Sequence, residues 1–462
     1  MEEEEEDQSH SSSFVSDPSP PSHHHQAINI WEVNMDVVAS MHHKMSTPPS
    51  ILRKAAGRCS IFKVPQSLIE INGAKTYHPQ IVSIGPYHHN KPHLQMIQEH
   101  KWVYLKSLIT RTQETRNLGL EDYLRVIHPL ESKARDCYSE QLVSYTVDEF
   151  VEMLVLDGCF IIELFRKFGG IVEIGKDDPL STMSWMLSFF LRDLLQVENQ
   201  LPYFILLRLF DLTSDYKQPD TPLSILALEY FSHLSFQGPD ELVDIDNLKC
   251  MHLLDLVRCS YITPNLSYNS GKVISAENYH VIHCISKLRK AGIQLTVKAS
   301  KTFLDVEFRR GAIQMPRITI NEITSSFLYN CVAFEQCQDD ASKHFTTYTR
   351  FLDCLVNSAQ DVEFLSDYGI MENFFGSDEE VAKLFNNLGN DVSFDMNDFY
   401  LSGLFDDVHS YYKNSRHVQW ASFKYTYFDT PWSFVSAFAA LLLLIFTFVQ
   451  TFVTAYQYYK PT

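Results

Sequence analysis

A long uncharged stretch near the carboxyl end constrains this chain more than any other feature. From Trp432 to Ala455 there is no Asp, Glu, Lys or Arg, and most residues are apolar. A helix needs about 20 such residues to cross the hydrocarbon core of a bilayer. Aromatic residues, which favour the headgroup regions, stand at both ends of the run: Trp432, Tyr456, Tyr458 and Tyr459. The sequence predicts a transmembrane helix over residues 432–455 and a short tail over residues 456–462.

The residues beside this run predict its orientation. The flank richer in Lys and Arg usually faces the cytosol. Lys413, Arg416 and Lys424 precede the run, whereas only Lys460 follows it, and the amino-terminal segment has no apolar core of the signal-peptide type. We expect a single-pass, tail-anchored integral membrane protein with the bulk of the chain in the cytosol. The pattern does not distinguish the plasma membrane from an endomembrane, and the alternative for the run is a buried core helix.

The amino-terminal end differs sharply in composition. Residues 1–30 are acidic and rich in Ser and Pro, which predicts a disordered tail, and His23–His25 lie within it. The formal net charge of the whole chain is −19 at pH 7. Phosphate binding requires clustered Lys and Arg, and no dense basic patch occurs. Nucleic acid is therefore not expected as a partner.

Between the tail and the apolar run, the spacing of apolar residues is mainly helical. We predict one large globular domain over residues 31–425, mainly α with a small β-sheet (α+β), followed by the transmembrane helix. Thr146 and Glu149 form a capping box that opens a core helix, which Gly169-Gly170 ends. Pro129 predicts a break in a surface helix over residues 120–140.

Further elements follow from the same patterns. Two helices from Ser181 onward are predicted on either side of "ENQLP", and a capping box at Ser377 and Glu380 opens another helix. Apolar alternation between residues 293 and 320 predicts a small sheet. The remaining predicted helices cover 221–234, 249–259, 276–290, and the segments "SSFLYNCVAFEQC" and "YTRFLDCLVNSA".

A histidine-rich segment, "YHPQIVSIGPYHHNKPH", raises the question of a metal site. It contains His78, His88, His89 and His93. Proline and the Gly85-Pro86 pair favour a loop, and no Cys, Asp or Glu completes a familiar zinc ligand set. The alternative uses are hydrogen bonding and packing. We predict neither metal nor cofactor here.

Four acidic residues in apolar surroundings are the other candidates for chemistry: Asp157, Glu163, Asp193 and Glu198. Two of them could be paired catalytic carboxylates. The favoured interpretation is that backbone donors, or Arg166 and Arg192, satisfy these buried acids. The chain also has no GxSxG, GxxxxGK[ST] or GxGxxG motif. We therefore predict no catalytic or cofactor-binding residues.

The cysteines give no sign of a redox or metal centre. There are nine, and no two form a CxxC pair. Buried free thiols are expected, with a disulfide framework as the alternative. The sequon at Asn265 is expected to remain unmodified in the cytosol.

Several blocks together resemble the plant family catalogued as domain of unknown function 247. The blocks are "IFKVPQSLI", "YHPQIVSIGPYHH", "LDGCFIIELF", "RDLLQVENQLPYFIL", "NCVAFEQC" and "PWSFVSAFAALLLLIFTFVQT". The resemblance implies a membrane protein with one carboxyl-terminal span and no established reaction. Some grass members are linked to self-incompatibility, which implies a recognition or signalling role. We expect a non-enzymatic protein-interaction module held at a membrane by its carboxyl-terminal helix; the alternative is an enzyme with a His/carboxylate site.

Overall fold

The structure is a computed structural model that describes most of the chain. The described residues are 34–46, 59–176, 178–183, 185–214, 221–232, 250–264, 266, 281–390, 392, 399–413 and 431–459. The chain divides into two compact units, Met1–Arg53 and Lys54–Thr462. The predicted disordered tail, Asn265 and the basic residues Arg416, Lys424 and Lys460 lie outside the described residues. The first unit contains a helix that the sequence analysis missed, α1 Met35–Ser46.

The second unit is mainly helical, as predicted. Its first described helices are α2 Gln66–Asn72, α3 Gln95–Arg116, α4 Leu120–Ile127, α5 Glu131–Arg135, α6 Val147–Phe168, α7 Pro179–Thr182, α8 Met186–Asp193, α9 Tyr203–Thr213 and α10 Leu223–Phe231. The later ones are α11 Leu253–Ser260, α12 Ile285–Lys290, α13 Glu322–Cys337, α14 His344–Leu355, α15 Ala359–Asp367, α16 Asp378–Leu388, α17 Ser402–Lys413 and α18 Pro431–Tyr459. Short 3₁₀ turns cover Ala74–Thr76, Pro92–Leu94 and His128–Leu130.

Helix α6 is the centre of the core. Its predicted capping box is present: the Thr146 hydroxyl accepts the Glu149 N–H at 3.3 Å, and the Glu149 carboxylate accepts the Thr146 N–H at 2.8 Å. Nearly all later residues of the helix are buried, and it packs against α3, α4, α9 and α10. A Cβ on Gly158 would overlap Leu209 of α9, so glycine permits this close approach.

The other helix boundaries follow local signals closely. A 3₁₀ turn at Pro129 separates α4 from α5, and Ser377 caps α16 with Glu380. Helix α8 ends before the "ENQLP" segment and α9 begins after Pro202. The helix predicted over 276–290 begins only at Ile285: residues 281–284 are not helical, and residues 276–280 lie outside the described part.

The sheet prediction was partly wrong. Strands β1 Gln294–Val297, β2 Glu307–Arg309 and β3 Ala312–Met315 form one sheet in the order β1-β3-β2, with β1 parallel and β2 antiparallel to β3. Strand β4 Ile318–Ile320 leaves this sheet and pairs in parallel with β5 Met371–Asn373, which was not predicted. Pro316 separates β3 from β4, and proline cannot donate a ladder hydrogen bond.

The carboxyl-terminal helix is exposed along its length, whereas the core helices are largely buried. Helix α18 continues past the predicted end at Ala455 to Tyr459. Its apolar segment Trp432–Tyr459 has no buried residue, unlike the buried core helix that was the alternative. Among the described residues it is the one helix that is long and apolar enough to span a membrane.

Candidate functional site

The histidine-rich segment forms an irregular loop, as its prolines and glycine predict. Residues 81–86 are buried and belong to no helix or strand. His88 is completely buried, His78 and His89 are half-buried, and His93 is exposed. The Nε2 atom of His93 lies 3.3 Å from the carbonyl oxygen of Pro79. The rings of His78 and His88 lie 5.1 Å apart, but no three of the described imidazoles are placed to hold one metal ion.

Asp193 binds the first part of this loop. Its carboxylate accepts the backbone N–H groups of Gln80, Ile81 and Val82 at 2.8 to 3.1 Å. Burial raises the pKa of Asp193 to about 6, although the three N–H donors favour the ionised form. Consecutive N–H groups on one anion fix the direction of the chain, so Asp193 sets the start of the loop.

Asp157 and Asn199 bind the second part of the loop. The Asp157 Oδ2 atom accepts the Gly85 N–H at 2.8 Å, and the Asn199 Oδ1 atom accepts the Ile84 N–H at 2.7 Å. Asn199 also donates to the carbonyl oxygens of Val82 and Asp193 through Nδ2, at 3.0 and 2.9 Å. The loop is thus held by side chains from α6 and from the α8–α9 connection.

Lys101 on α3 supplies the balancing charge. Its side chain is fully buried, and Nζ lies 2.5 Å from Asp157 Oδ1. The same ammonium donates to the Ser83 carbonyl oxygen. A buried charge is tolerated only when it is paired and hydrogen-bonded, and Lys101 is both. We call Lys101, Asp157, Asp193, Glu198 and Asn199 the loop-binding cluster.

Glu198 joins the histidines to this cluster. Its Oε1 atom accepts the Val64 N–H at 2.8 Å, and its Oε2 atom lies 3.0 Å from His88 Nε2 and 3.9 Å from His78 Nε2. The His88 contact is close, although neither His88 Nε2 nor Glu198 Oε2 forms a regular hydrogen bond. The His88 Nδ1 atom lies 2.7 Å from Lys91 Nζ.

Burial lowers the pKa of His88, while Glu198 acts in the opposite direction. Burial also acts to raise the pKa of Glu198, but His88 and the Val64 N–H outweigh it, so the pKa lies below the usual value. Both side chains are closed to solvent, at 0% and 1% exposure.

The four buried acids were expected to be satisfied by backbone donors or by Arg166 and Arg192. The structure confirms backbone donors for some of them but gives other cationic partners. Backbone donors satisfy Asp193, whereas Asp157 is bound by one backbone N–H and by Lys101, and Glu198 receives one backbone N–H, at Oε1. Glu163 instead accepts from Arg111, at 3.1 and 2.5 Å. Arg192 is not a close partner of these acids, since its nearest ion-pair contact is 3.9 Å away at Glu322.

Sequence reasoning missed Lys101, Arg111 and Asn199. The only available signal for Asn199 was the polar run Glu198-Asn199-Gln200 inside an apolar segment. Across the described part of the chain, no group of three or more His, Cys, Asp or Glu side chains is arranged to hold a metal ion. Three cysteines are buried and six partly buried. The absence of metal and cofactor remains a prediction.

We expect Gly85→Ala to lower the free energy of unfolding by about 3 kcal/mol or more. Gly85 has φ +71°, and an added Cβ would lie 2.7 Å from the Gln200 carbonyl oxygen and 3.0 Å from the Tyr138 hydroxyl. Gly369→Ala is the matched control, because φ is +66° there and a Cβ meets open space. Its cost should be about 1 kcal/mol, from backbone conformation alone. Denaturation of the full chain in detergent measures both, and equal losses would contradict the clash at Gly85.

A second feature lies on the surface of the same domain. A cavity of about 290 Å³ opens between α3, α4 and α6. Its walls include Trp102, Leu120 and Leu124, which are 46%, 40% and 37% exposed. The lining also includes His128 and two acids, Asp148 and Glu152, which give it a negative edge. We call this cavity the Trp102 groove.

The fold and these sites define a class of protein: a mainly helical domain built on a buried polar cluster, with one carboxyl-terminal helix that could anchor in a membrane. The chain belongs to the DUF247 family, described as plant protein of unknown function, whose profile matches residues 61–446. The resemblance seen in the sequence blocks is therefore confirmed.

Two proteins of Arabidopsis thaliana show how far the similarity extends. UPF0481 protein At3g47200 is 35% identical over 438 residues, which cover 89% of this chain and 90% of the relative. Putative UPF0481 protein At3g02645 is 23% identical over 491 residues, which cover 85% of this chain and 89% of the relative. No solved structure matches the chain. Neither relative's name states a reaction or a ligand, so function has to be argued from the surfaces.

Proposed function

We propose that this protein is a single-pass, tail-anchored membrane protein whose cytosolic domain binds protein partners without catalysis, as a recognition or signalling module. The observation that carries the proposal is the Trp102 groove. It exposes apolar side chains on a domain in which two of the four candidate carboxylates, Asp157 and Asp193, are committed to holding a loop. A role in recognition is also what the resemblance to some grass proteins implies.

Helix α18 supports the membrane anchor. Its apolar segment, Trp432–Tyr459, presents no face to the core, so a lipid phase would cover its exposed side chains. Lys413, Arg416 and Lys424 on the upstream flank, against Lys460 downstream, support a cytosolic domain.

The chemistry of the groove indicates the kind of partner. An exposed tryptophan beside leucines can seat one or two large apolar side chains, and such aromatic residues often dominate binding energy. Asp148 and Glu152 at the edge favour Lys or Arg next to those anchors. An amphipathic helix with an apolar stripe and basic flanks has this pattern, and helices commonly bind in such grooves. The occupant we propose is therefore a basic amphipathic helix of another protein.

We expect Leu124→Glu to weaken partner binding at least about tenfold, because a charge would replace apolar surface at the centre of the groove. The full chain, fused to a proximity-labelling enzyme, is compared in its native membrane with this variant and with Val143→Glu. Val143 is 88% exposed and lies outside the groove lining, so the control adds the same charge elsewhere.

Neighbouring proteins labelled by the wild type and the control but not by Leu124→Glu are then purified. The affinity of each for the wild type and the variants is measured. We also expect Glu152→Lys to weaken binding, with a reduced salt dependence. If no neighbour depends on Leu124, or if the purified neighbours bind all variants equally, the groove is not the docking surface.

The alternative function is an enzyme that uses His88 and Glu198. The observation in its favour is their 3.0 Å contact within the family's histidine loop. A substrate could reach this pair only after the loop moved, because both side chains are buried. Such movement would break the N–H bonds to Asp157 and Asp193, so the geometry supports the binding module better.

A further inference from the structure

A larger cavity lies on another part of the domain. It has a volume of about 550 Å³ and is lined by residues from the Ala74–Thr76 turn, α8, α13 and α16. That volume is typical of sites for small organic molecules. The cavity shares no lining residue with the Trp102 groove.

Arg192 is the main charged group of this cavity. Its side chain is 15% exposed, and its buried Nε atom has no hydrogen-bond partner. The closest carboxylate oxygen, Glu322 Oε2, is 3.9 Å from Nη1, which is too far for a hydrogen bond, and the Glu322 side chain is 78% exposed. A partly desolvated guanidinium with spare donors favours a carboxylate or phosphate, which it can bind in a bidentate manner.

The other charges of the lining leave the balance positive. Lys75 and Lys383 are exposed at the rim, and neither forms an ion pair with any described residue. Of the two acids, Glu380 accepts the Ser377 N–H at 2.8 Å as part of the α16 cap. One of its carboxylate oxygens therefore already has a hydrogen-bond donor. Glu322 extends into solvent. An anion that enters would pass the two exposed lysines and then meet Arg192, which is only 15% exposed.

The remaining walls are suited to the body of a ligand. Phe189, Tyr329 and Phe375 supply aromatic surface, and the Arg192 guanidinium lies 4.9 Å from the centre of the Phe189 ring. The buried Oδ1 atom of Asn72 has no hydrogen-bond partner and can accept one from a ligand. Aromatic walls beside one cation would hold a molecule that is apolar at one end and anionic at the other.

We propose that this cavity binds a small organic anion, with a carboxylate or phosphate group held by Arg192 and an aromatic or apolar body packed on Phe189, Tyr329 and Phe375. The inference is independent of the Trp102 groove and adds a small-molecule site to the proposed interaction module.

The test uses three probes that share one aromatic body: 2-naphthoate, 2-naphthyl phosphate and the neutral 2-naphthalenemethanol. Saturation-transfer NMR measures their binding to the full chain in nanodiscs of uncharged lipid, with empty discs subtracted. We expect at least one anion to bind with a Kd below about 1 mM and the neutral probe to bind at least about tenfold more weakly. The preferred anion distinguishes a carboxylate ligand from a phosphate ester.

Two variants then locate the site. Arg192→Gln should weaken the bound anion at least about tenfold, because it removes the charge and the paired donors. Glu322→Gln should tighten it about twofold, because the like charge beside Arg192 is lost. Lys106→Gln is the control, since Lys106 is exposed on α3 outside the cavity.

The thermal unfolding temperature of each variant confirms that it folds. If Arg192→Gln failed to fold, two results would still test the proposal: the affinity of Glu322→Gln for the anion, and the comparison of the charged probes with the neutral one. Equal binding of all three probes, no binding of either anion, or an unchanged affinity in a folded Arg192→Gln variant would each overturn the proposal.

Discussion

Replacing Lys101 with Met is expected to lower the free energy of unfolding by about 3–5 kcal/mol, enough to leave little folded protein. Methionine keeps the length of the side chain, so the loss would come from charge rather than from a cavity. Asp157 would remain buried without its cation, and the Ser83 carbonyl oxygen would lose its donor. Because Asp157 also binds the Gly85 N–H, the damage would extend into the histidine loop.

Two further variants separate charge from packing. Lys106→Met changes the same residue type on the exposed side of α3 and should cost less than about 0.5 kcal/mol. Adding Asp157→Asn to Lys101→Met removes the uncompensated charge while keeping an acceptor for Gly85, and should restore at least about 1 kcal/mol. Denaturation of the full chain in detergent gives all three values. A double variant no more stable than Lys101→Met would show that the charge of Asp157 is not the cause.

The features predicted correctly from the sequence depend on neighbouring residues. Thr146 and Glu149 are three positions apart, so their mutual hydrogen bonds could be inferred without the fold. Gly169 and the "ENQLP" segment mark helix ends by backbone chemistry alone. The prediction of the carboxyl-terminal helix depends only on the length and composition of the apolar run. These signals are local, and tertiary packing did not override them.

The features that were missed depend on distant pairs. Lys101 and Asp157 are 56 positions apart, so the buried acid could be predicted from its apolar surroundings but its cation could not. Strand β5 is too short to be recognised before its pairing with β4 is known. Arg192 was expected to neutralise a buried acid, yet its neighbour Asp193 uses backbone N–H groups instead. Because Asp193 is bound by backbone N–H groups, the Arg192 guanidinium remains available to the cavity.

Three of the six blocks that carry the family resemblance meet in the loop-binding cluster. "LDGCFIIELF" contributes Asp157, "RDLLQVENQLPYFIL" contributes Asp193, Glu198 and Asn199, and "YHPQIVSIGPYHH" is the loop they bind. For these three blocks, the shared residues have a role in folding the domain. Function has to be sought on the surfaces, where the Trp102 groove, the Arg192 cavity and α18 lie.

Deleting residues 431–462 is expected to move the protein from the membrane to the soluble fraction. The deleted segment contains the one helix of the described chain that could span a bilayer, and exposing its apolar side chains to water would be strongly unfavourable. Carbonate-washed membranes from cells that express each form measure the effect. The full chain should stay with the pellet and the shortened chain should leave it.

A full-length control tests whether the apolar character of α18 is responsible. Leu443→Lys with Ile445→Lys places two charges near the middle of the helix, each costing about 2.5–3.5 kcal/mol in membrane insertion. This variant should also leave the washed membrane, although nothing has been removed. Protease added to sealed membranes should digest the domain of the unmodified chain, since the basic flank predicts a cytosolic domain. Retention of the shortened chain in washed membranes would show that another part of the protein holds it there, and protection from protease would reverse the proposed orientation.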